Sequence, residues 1–100
     1  MAFLAALTIH LHLPDNNSLK GKRKELLSVR AVLARRYGAS VAEVDNHDLW
    51  QRATLAAGLV SRSPRELERA VDAVERYLLA RYPEGVRIER RVVSFNDIDA

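Results

Sequence analysis

Cysteine is absent from all 100 residues, which excludes a disulfide framework, a thiolate zinc site and a cysteine nucleophile. Stability must then come from an apolar core, and a chain of this length can bury one. Aromatic residues are scarce, six in all with Trp50 the single tryptophan. That leaves no aromatic-rich strand of the kind that stacks bases in RNA-recognition sheets. The four glycines are scattered, so there is no P-loop, dinucleotide fingerprint or nucleophile elbow. No apolar run is long enough to cross a bilayer. The opening stretch MAFLAALTIHLHLP lacks the basic start of a secretion signal, and His10 and His12 interrupt it. These absences lead us to expect a cytoplasmic protein with no membrane partner, no cofactor and no catalytic residues.

Charge is present in quantity and distributed unevenly. Between Ser18 and Arg36 seven basic residues (Lys20, Lys22, Arg23, Lys24, Arg30, Arg35, Arg36) stand against one acid, Glu25, for a net +6. The whole chain carries +3, so the remainder carries −3. The positive field is therefore concentrated on one element.

Phe3 to Leu13 alternates, with Leu7, Ile9, Leu11 and Leu13 on one face and Thr8, His10 and His12 on the other, the pattern of a strand covered on one side. Pro14-Asp15-Asn16-Asn17 is turn chemistry. Ser18 then caps a helix expected over Leu19–Tyr37, with Leu19, Leu26, Val29, Leu33 and Tyr37 on its apolar stripe and Gly38 as a left-handed stop. Ser40–Asp45 reads as a short strand and Asn46-His47-Asp48 as a tight hairpin connection. Leu49–Ser61 follows as a strand. Ser63-Pro64-Arg65-Glu66 has the cap, first-turn proline and reciprocal glutamate of a second helix, expected over Pro64–Arg81. Val86–Phe95 is the last strand and Asn96–Ala100 a loose tail.

The order β-α-β-β-α-β, with right-handed crossovers, implies one α+β domain over residues 1–100. Its fold is ferredoxin-like, a four-stranded antiparallel sheet with both helices on one face. The first and third strands form the central pair, and the other sheet face is open. On that face the alternation places Thr8, His10 and His12 from the first strand and Trp50, Arg52 and Thr54 from the third. Arg90, between Ile88 and Val92, leaves the register of the last strand open: pointing inward, it needs a carboxylate or a bulge.

Leu13-Pro14 followed by Ser18-Leu19-Lys20-Gly21-Lys22-Arg23, then Ser40-Val41-Ala42-Glu43-Val44 and Asp48-Leu49-Trp50-Gln51-Arg52-Ala53, resembles the YlxP-like family of small uncharacterised bacterial proteins over essentially the whole chain. The resemblance implies a ferredoxin-like fold. Members are often encoded close to translation and ribosome-maturation factors, which implies, by association, a role near RNA or the ribosome. No catalytic residues come with the family. Where relatives commonly carry an acid, this chain has Gly21.

The sharpest local signal is the basic helix start. Cations there oppose the macrodipole at about 0.3–1 kcal/mol each, yet Lys20, Lys22 and Arg23 occupy it. A phosphate would relieve the conflict. Lys20, Lys24 and Arg35 share an exposed flank of the wheel, with Arg23 and Arg30 bordering the apolar stripe. Trp50 is a stacking platform, and with Arg52 it makes a phosphate-reading pair or a dimer contact.

Two readings result. One is a non-enzymatic RNA- or ribosome-associated module using Lys20, Lys22, Arg23 and Lys24, with Arg35, Trp50 and Arg52 as secondary contacts. The other is a homo-oligomeric structural or small-ligand-binding domain using the open sheet face, its basic helix merely solvated. A metal site on His10 and His12 ranks third, since a third ligand from His47 or Asp48 requires the hairpin to fold back.

Overall fold

Alternation along the chain becomes a sheet in the computed structural model, which describes residues 1–98. β1 (Phe3–His12) buries Ala5, Leu7, Ile9 and Leu11. After the Pro14 turn, α1 (Leu19–Tyr37) starts where the Ser18 hydroxyl accepts from Gly21 N at 3.0 Å. It ends at Gly38, whose φ of 70° and bond to Ala34 O make the left-handed stop. β2 (Ser40–Asp45) and β3 (Arg52–Ser61) pair antiparallel, with an irregularity between Glu43 and Asp45. α2 (Pro64–Arg81) is capped by Ser63, which accepts from Glu66 N at 3.2 Å. The reciprocal arm of that cap differs from expectation, because Ser63 N donates to Ser61 Oγ instead. β4 (Val86–Ser94) closes the sheet.

The strands lie in the order β2-β3-β1-β4, all antiparallel, with β1 and β3 central. Both helices cover one face: α1 packs over β2, and α2 over β1, β3 and β4. Leu26, Val29 and Leu33 from α1 and Leu67, Val71, Val74 and Leu78 from α2 meet the inward rows of the sheet in a single core. This is the ferredoxin-like arrangement of the expected class.

Three local expectations are corrected. β3 begins at Arg52 rather than Leu49, and the tight connection is a longer loop, 46–51, entered through Asn46 at φ 63°. The chain from Asn96 is not a loose tail at its start: Phe95–Ile98 forms a single helical turn, α3, and Phe95 N bonds Ala2 O at 2.9 Å. The rest of the expected tail, 99–100, lies outside the described residues. Arg90 does point to the helix side, pairing with Leu7 across the ladder. Its guanidinium meets Asp72 at 2.8 Å and Glu75 at 3.3 Å on α2, so carboxylates rather than a bulge satisfy it.

The two helices are tied at one end by a polar cluster. Glu25 of α1 accepts from Arg81 Nε at 3.0 Å and from the Tyr82 hydroxyl, while Arg81 also donates to Ser28 and Tyr77. Burial, with the hydroxyl proton given to Glu25, raises the Tyr82 phenol well above its ordinary 10.0. The folded state therefore holds this proton more tightly than the unfolded chain does. Stability from this group is complete below pH 10 and is lost as pH rises above it. Gly85 makes the other close approach: its carbonyl accepts from His12 N at 2.8 Å, and a Cβ added there collides with the His12 carbonyl oxygen.

Two outcomes are expected in urea unfolding. Gly85→Ala lowers stability by about 1–3 kcal/mol, since backbone must move to admit the methyl. Tyr82→Phe costs about 1 kcal/mol near pH 8 through the lost hydrogen bond, and its stability falls less than the parent's between about pH 9 and pH 11.

Candidate nucleic-acid interface

The start of α1 is built from the turn before it. Asn16 Nδ2 donates to Ser18 O at 2.8 Å and also to Trp50 O, so one amide ties the helix cap to the β2–β3 loop. Gly21 leaves room for this amide, because a Cβ there would lie 2.5 Å from Asn16 Oδ1. The first turn carries no acid. Lys20 on this turn and Arg23 and Lys24 on the next are exposed, and among the described residues none of them enters an ion pair. The positive face is one-sided. Beyond Gly21 and Glu25 an open cleft of about 730 Å³ is lined by the carboxylates of Asp15, Glu25 and Glu84, with Arg81 the single cation among its lining residues. An anion is thus attracted to the Lys20–Lys24 side and not into the cleft.

Lys22 does not belong to that exposed group, a correction to the expected site. It is 1% exposed, and its Nζ donates to Asn46 O at 2.6 Å and Leu49 O at 2.8 Å, with His47 O at 3.4 Å. Glu43 Oε2 lies 3.0 Å from the same nitrogen as its counter-ion, without hydrogen-bond geometry. A signal for this existed in the sequence. Lys22 stands three residues after Leu19 and four before Leu26, on the apolar stripe itself, and Glu43 shares the inward parity of Val41.

The buried ammonium shapes the loop. Its carbonyls point inward to Lys22, and Gln51 Nε2 bonds Pro14 O and Asn16 O while Leu13 N bonds Gln51 O. The Trp50 backbone is therefore held, yet its side chain is left 53% exposed, and Leu49 46%. Trp50 is brought beside the helix start. Arg52 is exposed at the first position of β3, paired with His12 on the open face. Arg35 is exposed but lies at the far end of α1, about 22 Å along the axis from Lys20. Arg30 is spent on Val41 O at 3.1 Å, and Arg36 stacks over Tyr37 and Tyr77.

The histidines are not gathered. His10 Nε2 meets Glu89 Oε1 at 3.0 Å on the open face. Arg87 first, then His10, hold the Glu89 carboxyl below its ordinary range. His47 and Asp48 are exposed in the loop. Among the described residues no group of three or more His, Asp or Glu side chains is placed to hold a metal.

Fold and charge together define a small ferredoxin-like α+β domain with an open sheet face and a basic helix start. The chain belongs to the family of proteins of unknown function DUF503, which matches residues 4–91. No curated protein matches it. Among solved structures it is similar to the de novo designed protein Foldit4, with a TM-score of 0.63 at 12% identity, covering 94% of this chain and 98% of that one. It is also similar to SnoaB, a cofactor-independent oxygenase from Streptomyces nogalater, with a TM-score of 0.52 at 12% identity and 91% of each chain covered. At such identities the likeness is one of fold.

Lys22→Met strands Glu43 and the loop carbonyls, and is expected to cost about 3 kcal/mol in urea unfolding. Trp50, the one tryptophan, reports the loop: its fluorescence anisotropy falls in the variant under native conditions.

Proposed function

We propose that this chain is a non-enzymatic RNA- or ribosome-associated module that works in the cytoplasm. Its contact surface is the exposed cation group Lys20, Arg23 and Lys24 together with Trp50. Arg52 and Arg35 are secondary contacts, Arg35 only for a ligand long enough to run the length of α1. One observation carries this reading: Lys20, Arg23 and Lys24, without ion-pair partners among the described residues, stand at the start of α1, which Asn16 ties to a loop that exposes a tryptophan on a fixed backbone. Cations supply the salt-sensitive attraction to phosphates. The indole supplies a face for one unpaired base, worth about 1–3 kcal/mol. The resemblance to YlxP-like proteins, often encoded close to translation factors, supports the same partner class.

Purified protein is titrated with ribosomal subunits and with structured RNA across a salt series, beside a Lys20→Ala/Arg23→Ala/Lys24→Ala variant and Trp50→Ala. The parent is expected to bind saturably, with affinity falling as salt rises. The triple variant lowers the salt slope by about 2 and keeps or gains thermal stability, since cations at a helix start oppose its dipole. Trp50→Ala weakens binding by about tenfold with the slope unchanged. Equal binding by parent and triple variant, or none at low salt, removes the reading.

A further inference from the structure

The cross-strand registers resolve the open sheet face into rows. Val60, Leu4 and Val93 form the first; Gly58, Ala6 and Arg91 the second; Ala56, Thr8 and Glu89 the third; Thr54, His10 and Arg87 the fourth. β2 adds Ser40 to the second row, Ala42 to the third and Asp45 to the fourth. A solvated antiparallel face ordinarily alternates polar residues outward. Here the middle of the central strands offers Ala6, Ala56 and Gly58, poor strand formers with nothing polar to give water. Val60 is 66% exposed at their end, and neither α1 nor α2 covers this side. Charge is confined to the margins, with Arg87, Glu89 and Arg91 on the β4 edge, Asp45 on the β2 edge and Arg52 beyond the fourth row, where β3 begins.

We infer that this face is covered by a second copy of the chain, stacked sheet on sheet about a two-fold axis parallel to β1 and β3. Charge complementarity selects both the occupant and the axis. A two-fold along the strands exchanges β2 with β4 and keeps each row in place, so Asp45 of one copy faces Arg87 of the other, twice. Asp45 has no ion-pair partner of its own among the described residues. A two-fold across the strands would set β2 on β2, which carries no cation, and leave Asp45 unpaired. Small side chains in the middle rows let the sheets approach, in the aligned packing of β-sandwiches. The strands, of 10, 10, 9 and 6 residues and about 4.8 Å apart, present about 550 Å² per copy. Both faces together bury about 1,100 Å², above the roughly 1,000 Å² that a biological interface needs.

Sedimentation equilibrium over a concentration series decides it, with circular dichroism confirming that each variant is folded. The parent is expected at twice its 11.3 kDa. Ala56→Arg, at the centre of the face, yields monomer. Asp45→Arg and Arg87→Asp each weaken the dimer about tenfold or more, and the double reversal recovers to within about threefold of the parent. The inference is overturned by a parent that stays monomeric at about 0.5 mM, by a folded Ala56→Arg protein that still dimerises, or by a double reversal no tighter than the single ones.

Discussion

A lysine ammonium sealed between a helix start and a hairpin loop carries a large desolvation cost, and three carbonyls and a carboxylate surround it. Lys22 is that lysine. It sits where the apolar stripe of α1 would place a leucine, and instead of filling the core it reaches through its end to the loop between β2 and β3. The loop has no Asn-Gly or Asp-Gly pair to set its shape. Lys22 sets it instead, together with Asn16 and Gln51, and the exposed position of Trp50 depends on that arrangement.

The same device separates two kinds of positive charge that look alike in the sequence. One lysine of the run Lys20 to Lys24 is structural, and the remaining three cations are left facing solvent on one side of α1. Their own helix dipole opposes them, so they are placed against local stability. On the other side of the helix the carboxylates of Asp15, Glu25 and Glu84 line the cleft. Field and shape therefore point to one flank of the helix and the adjoining loop.

Much of the candidate site was legible, and the part that was not has a physical cause. Exposure of Lys20 and Lys24 follows from the helical wheel, while Arg23, at the border of the apolar stripe, is turned to solvent only in the folded chain. Lys22 is less legible, because a lysine among lysines reads as surface unless its place on the apolar stripe is given priority over its charge. Arg35 belongs to the same exposed flank, but a helix of 19 residues separates its ends by most of the domain's depth. The cap at Ser63 follows the same lesson, since its N–H found the nearer Ser61 hydroxyl before the Glu66 carboxylate.

What the sequence by itself determined is whatever depends on neighbours a few residues apart. Both long helices begin and end where Ser18, Gly38, Ser63 and the Pro83 barrier place them, and the period-two runs of β1 and β3 define which face is buried. The strand order followed as well, because right-handed crossovers leave few ways to join these elements. Tertiary structure decided the fate of side chains whose partners are distant in the chain. Arg90 finds Asp72 and Glu75, Lys22 finds Glu43 and the loop, and the open face acquires its rows only through register. Those contacts join residues 15 or more positions apart, and no local periodicity encodes which long side chain will reach which carbonyl or carboxylate once the core has closed.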